Sequence, residues 1–132
     1  HSWGFATFGF GRMQADVATA QQKLTEITGR PPRFFRPTAG LRNPLLDPVL
    51  ARLDLKLASW TRRPYDTFEG NPQRIYERLA DHLAPGDVLL LHDGHAALTA
   101  EGEPVILAVL PRLLQTIAEH RLNPVTLSAA LK

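Results

Sequence analysis

The sequence predicts an α/β fold in which a parallel sheet alternates with helices. Three observations carry this. The run Val88-Leu89-Leu90-Leu91 has no polar alternation, as expected of a strand covered on both faces. Stretches with apolar residues at helical spacing alternate with short strand-like runs, separated by short breaks. Such strict alternation selects parallel strands joined by right-handed crossovers. Finally, polar residues follow the strand-like runs, as His92-Asp93 follows Leu91, and parallel α/β proteins carry their sites at strand C-termini.

The elements follow in order. After an opening rich in Gly and Phe (Trp3, Phe5, Phe8, Phe10), a helix is expected over about Met13 to Thr28. Val17, Ala20, Leu24 and Ile27 share its face, and Gly29 stops it. Pro31-Pro32 breaks the chain, and Arg33 to Arg36 reads as a strand. A helix from about Pro44 to Leu53 starts with a proline tolerated in the first turn. Leu55 to Trp60 is a second strand, and Pro72 to Leu83 a helix with Ile75, Leu79 and Leu83 on one face. Pro85-Gly86 turns into a third strand, Asp87 to Leu91. Val105 to His120 is the last long helix, Pro124 to Leu127 a fourth strand, and Ser128 the cap of a terminal turn. The expected core is Phe34, Phe35, Leu55, Leu57, Val88, Leu90, Ile106, Val109, Leu113 and Val125.

The 132 residues suit a single domain. A net charge of +2, with arginines scattered rather than clustered, argues against nucleic acid as a partner. Without cysteine there are no disulfides and no thiolate chemistry. No apolar run reaches the length of a membrane span. The chain opens on His1 rather than Met, so the natural N-terminus is expected upstream and the lack of a signal segment carries little weight.

Three polar clusters follow the first three predicted strands: Arg36-Pro37-Thr38-Ala39-Gly40, then Trp60 with Asp66, then His92-Asp93. In a parallel sheet these ends gather on one edge, so Arg36, Asp66 and His92 are expected to share a cleft. The chemistry on offer is acid–base work by a histidine oriented by a carboxylate. Each has a plainer reading: a surface ion pair for Arg36, a turn for Asp66, a strand-end turn for His92-Asp93. His82, His95 and His120 read as structural or solvated. His92, Asp93 and His95 make a weak metal motif, because neighbours on a strand point apart.

In this order, "FFRPTAG", "LASWTRRPYDT", "GDVLLLHDGH" and "VLPRLLQTIAEHRLNPVTLSAAL" resemble the C-terminal two-thirds of a NodB-type polysaccharide deacetylase domain. These are metal-dependent carbohydrate esterases on a distorted (β/α) barrel. The resemblance implies that Arg36 orients the catalytic base and that the backbone N–H of Ala39 serves as the oxyanion donor. It makes Asp66 the partner of an acid histidine, His92, which protonates the leaving amine. Leu90 lines the acetyl pocket, and Trp60 stands on the strand before Asp66. The sequence departs from the family pattern at Thr38-Ala39 in place of Pro-Tyr, and at Thr67 in place of a Trp. Both changes reshape the expected substrate groove but leave a backbone donor in place.

The family's early "TFDD" is absent, and Phe5 stands where a second histidine would follow His1. The interval from His1 to Arg36 matches that from the family's second metal histidine to its motif arginine. The resemblance therefore makes His1 a metal ligand; an uninvolved terminus or tag remnant is the competing reading. The other histidine, the metal Asp and the base Asp would lie upstream, leaving residues 1–132 catalytically incomplete. The implied cofactor is a divalent metal, zinc by resemblance. The implied partner is an acetylated carbohydrate, deacetylated by metal-assisted hydrolysis, and handling of a wall or capsule polymer would favour an extracytoplasmic site. The competing readings are a non-catalytic carbohydrate-binding or scaffold module on the same fold and, more weakly, a metal-dependent phosphohydrolase.

Overall fold

The computed structural model describes residues 3–131, so His1 lies outside the described residues. The chain folds as two compact units, one reaching to Ser59 and the other beginning at Trp60.

In the first unit a 3₁₀ turn (Trp3–Thr7) leads into α1 (Phe10–Thr28). Gly29 stops α1 as expected: its φ of 69° is left-handed, and its N–H donates to the Thr25 carbonyl at 2.8 Å. Only the N-terminal half of the predicted helix face is buried. Met13 and Val17 are inside, but Leu24 and Ile27 are 48% and 80% exposed. Strand β1 (Phe34–Phe35) pairs in parallel with β2 (Lys56–Leu57), Phe34 opposite Lys56 and Phe35 opposite Leu57. Both are shorter than the runs 33–36 and 55–60 predicted from sequence. The Lys56 N–H donates to Arg33 O, and Ala58 N–H to Phe35 O. The next rung needs an N–H at residue 37, and Pro37 has none. Helix α2 (Leu46–Arg52) begins two residues after the expected Pro44. There Asn43 shapes the entry, its side-chain oxygen accepting the Leu45 N–H at 2.9 Å. Phe5, Met13, Val17, Phe35, Leu46, Val49, Leu50 and Leu55 form one apolar core. Each such side chain contributes about 1.5–3 kcal/mol by leaving water.

The second unit holds the third predicted strand, and here the expectation is corrected. Among the described residues, 87–91 makes a single parallel bridge, Leu89 opposite Arg62, rather than a strand. The Arg62 N–H donates to Val88 O, and Leu90 N–H to Arg62 O. The rung beyond would need an N–H at residue 64, which is Pro64. On the other side the Val88 N–H donates to the Thr61 hydroxyl at 2.9 Å. The described sheet is therefore the two strands β1 and β2.

Helix α3 (Pro72–Ala80) starts on Asn71, whose side-chain oxygen accepts the N–H groups of Gln73 and Arg74, with Pro72 in the first turn. Helix α4 (Val105–Glu119) packs against α3 through Val105, Val109, Leu113 and Ile117 on Ile75 and Leu79. The Tyr76 and Thr116 hydroxyls join them at 2.8 Å. Gly70 has a steric reason: a Cβ there would stand 2.3 Å from the Leu98 carbonyl oxygen.

The fourth predicted strand does not form. Thr126 instead caps α5 (Leu127–Ala130), its hydroxyl accepting the Ala129 N–H, so Thr126 takes the capping role expected of Ser128. Val125, an expected core residue, is 59% exposed. Among the described residues no strand pairs with 124–127, and the local hydrogen bonds of a helical turn serve this backbone.

Candidate active site

Asp66 owes its place to the turn around it. Tyr65 has a φ of 63°, and its carbonyl accepts the N–H groups of Phe68 and Glu69, both at 2.9 Å. The Asp66 carbonyl accepts the Ala97 N–H at 2.8 Å. The turn so fixed puts the Asp66 side chain wholly inside the protein. A buried carboxylate requires donors, and both come from His92. The His92 backbone N–H donates to Asp66 Oδ2 at 2.7 Å, and its ring Nδ1 lies 2.9 Å from Oδ1. With both oxygens accepting, the hydrogen-bond pattern assigns the proton on this side of the ring to Nδ1. The other ring nitrogen, Nε2, has no partner among the described residues, and the side chain is 29% exposed. One carboxylate thus sets the rotamer, tautomer and backbone of a single histidine. That arrangement can pass a proton at Nε2 to or from a bound group.

The segment carrying His92 is fastened by a second carboxylate that sequence reading missed. Asp87 accepts from the Thr61 hydroxyl, the Ala84 N–H and Arg62 Nε. The Arg62 guanidinium also donates to the carbonyls of Asp81 and His82. The Thr61 hydroxyl foremost, then the Ala84 N–H and Arg62, hold the Asp87 carboxyl down to about 2. The available signal was the Thr-Arg pair at 61–62 and an acid at the mouth of the apolar run. Residue types alone do not say that they meet.

Arg63 and Arg78 flank Tyr65. Arg63 lies 4.9 Å and Arg78 5.6 Å from its ring centre, and Arg63 is also 5.6 Å from that of Trp60. Arg78 donates to the Pro64 carbonyl at 2.9 Å and reaches Glu69 at 4.0 Å. The Asn71 N–H chiefly holds the Glu69 carboxyl below its ordinary range; burial pushes the other way, and Arg74 and Arg78 help to lower it.

Of the residues singled out from sequence, the structure joins Asp66 and His92 directly. Leu90 is buried on the segment leading to His92, and Trp60 is half-buried beside Arg63. Arg36 and Ala39 belong to the first unit. Arg36 is exposed just after β1, and Ala39 occupies the left-handed region at φ 52° in a 3₁₀ turn. His82, Asp93, His95 and His120 are exposed. A divalent metal of the kind expected from sequence needs about three protein ligands. Among the described residues no three His, Cys, Asp or Glu side chains come together to hold one. These residues alone do not fit a metal, and the chemistry they support is proton transfer at His92. A concavity of about 510 Å³ lies elsewhere, lined by Arg62, Tyr76, Glu77, Arg78, Ala80 and Asp81. Its Arg62 is already committed to Asp87, and the Asp66–His92 pair takes no part in it.

No protein-family model matches the chain. A chitooligosaccharide deacetylase of Azorhizobium caulinodans is 29% identical over 83 residues, which is 62% of this chain and 40% of that protein. Among solved structures, a family 4 carbohydrate esterase from Streptomyces lividans in complex with acetate superposes with a TM-score of 0.78. It is 27% identical and covers 99% of this chain and 65% of its own. Peptidoglycan deacetylase PdaC from Bacillus subtilis shares the fold, with a TM-score of 0.71 at 20% identity over 98% of this chain and 60% of its own. The chain thus spans less than two thirds of the length of each. In fold over nearly the whole chain, and in sequence to a curated deacetylase and a solved esterase, this chain is similar to the NodB-type polysaccharide deacetylases, the family 4 carbohydrate esterases.

Proposed function

We propose that this chain carries the proton-donating part of a hydrolase site that removes N-acetyl groups from an amino-sugar polysaccharide, on part of a distorted (β/α) barrel. The observation that carries this is the buried Asp66 carboxylate spending both oxygens on one histidine, His92. A purely structural histidine needs one partner for its ring; this one is also held by its own backbone. Its free Nε2 then has a fixed direction, which a general acid requires. As water adds to the acetyl carbon and the C–N bond breaks, His92 in its imidazolium form would give its Nε2 proton to the departing amine and return to the neutral Nδ1–H ring, leaving acetate and a free amino sugar. Asp66 would act as the positioning residue. The likeness to deacetylases and to a carbohydrate esterase supports the substrate class.

The test is acetate release from N-acetylated oligosaccharides by the natural polypeptide containing these residues. His92→Ala is expected to lower turnover by about 10²–10⁴-fold, the usual contribution of a general acid. The His92→Ala protein should still bind the oligosaccharide. Near-normal turnover in that variant would refute the assignment. Binding without acetate release by the unaltered polypeptide would favour a non-catalytic carbohydrate-binding module on the same fold.

A further inference from the structure

Helix α4 is apolar on more sides than its packing in this structure uses. Its Val105, Val109, Leu113 and Ile117 lie against α3. With about 100° between successive residues, the positions from Val109 round to Pro111 cover about 200° of the helix, and none of them is polar. A helix with one covered face needs an apolar stripe of about 100° and carries its charges opposite. Here the charged residues are Arg112 and Glu119. Arg112 is turned towards α3, its guanidinium 3.7 Å from the Tyr76 ring centre and bonded to the Gln73 side chain. Glu119 accepts from the Gln115 side chain at 2.8 Å. On the flank away from Arg112, Leu107, Leu110 and Leu114 stand exposed at helical spacing.

We infer that this leucine stripe is a docking face, and that its occupant is an apolar face of the segment that precedes His1 in the natural polypeptide. Length supports that occupant. The solved esterase superposes on 99% of this chain, yet about a third of its own length has no counterpart in residues 1–132. The resemblance is to the C-terminal two-thirds of a domain, which puts the remaining third upstream. Area supports an occupant from the same chain. From Leu107 to Ala118 the stripe is about 16 Å long on a helix about 10 Å across, on the order of 200 Å². A stable complex of separate molecules needs about 800 Å² on each partner, whereas a tethered segment loses far less freedom on docking. The lack of charge along the stripe suits lasting burial. Without the segment seated, Leu114→Ala trims an exposed side chain; with it seated, the same change truncates a core. Docking of this kind is independent of the chemistry proposed for His92.

The experiment is thiol labelling of the natural polypeptide, read peptide by peptide by mass spectrometry. Residues 1–132 contain no cysteine, so Leu107→Cys and Leu114→Cys each place a single reporter on the stripe. Glu101→Cys, at an exposed position of the same unit, gives the reference rate. Maleimide labelling at the two stripe positions is expected to be at least about tenfold slower than at the reference, because it must wait for local opening. The rates should not change on about hundredfold dilution. A benzophenone amino acid in place of Ala118, on the rim of the stripe, should cross-link to peptides upstream of His1. Carbene footprinting of the unaltered polypeptide reads the same stripe with no substitution in it, and should find Leu107, Leu110 and Leu114 protected. Labelling as fast as at the reference together with an unprotected footprint would overturn the inference. So would protection that fades on dilution, which means a second copy; cross-links only to residues 2–131 or to residues after Lys132; or a natural polypeptide that begins at His1.

Discussion

Replacing Asp66 by Asn changes one atom in a fully buried site, and its consequence can be worked out from two distances. In the native pair one oxygen accepts the His92 backbone N–H at 2.7 Å and the other accepts Nδ1–H at 2.9 Å. An asparagine can keep only one of these. If its oxygen stays on the backbone, its NH₂ faces Nδ1–H, donor against donor. The ring then has to move its proton to Nε2, so that Nδ1 accepts. Loss of one hydrogen bond to a charged group costs about 1.5–3 kcal/mol. Asp66→Ala leaves two donors orphaned, at about 1–3 kcal/mol each, and should cost about 2–6 kcal/mol. Chemical denaturation reads the two costs, and ¹⁵N-detected NMR of the histidine ring reads the tautomer. The expected result is an Nδ1–H ring in the native protein, an Nε2–H ring in Asp66→Asn, and Ala costlier than Asn. A ring that keeps Nδ1–H in Asp66→Asn, or equal costs for the two variants, would refute the claim that the carboxylate decides the histidine's state.

Other perturbations have outcomes set by the same structure. The Asp87 carboxyl is held down to about 2, from an ordinary 3.8. The lowered value stabilises the fold above about pH 4, and the gain is lost as pH falls towards 2. Because water reaches the site, screening reduces it to about 1–2 kcal/mol, and acid titration of Asp87→Asn should show that limb diminished. Gly70→Ala drives a Cβ to 2.3 Å from the Leu98 carbonyl oxygen. It should cost about 1–3 kcal/mol and speed hydrogen exchange at the Ala97 amide, which is bonded to Asp66. Leu113→Ala empties a site 1% exposed between α4 and α3 and should cost about 2–5 kcal/mol. The neighbouring Leu114→Ala, at 47% exposure, should cost less than about 1 kcal/mol by the same denaturation assay.

Local signals carried the helices. Periodic apolar positions, Gly29 and Pro72 place α1, α3 and α4 because each helix makes its hydrogen bonds within its own segment. The position of His92 after an apolar run, and of Asp66 after another, marked both as candidates from residue type and place alone. The strands were less legible. Pro37 and Pro64 are plain in the sequence, but that each falls on the next rung depends on a register set by another segment. The exposure of Val125 and the helical turn capped by Thr126 likewise depend on tertiary context, since among the described residues no strand pairs with this segment. Only tertiary structure decided that Asp66 gives both oxygens to a residue 26 positions away, or that Arg62 is spent while Arg63 is not. A side chain's hydrogen-bond capacity is written in its residue type; whether that capacity is used is settled by what the fold brings within 3 Å of it.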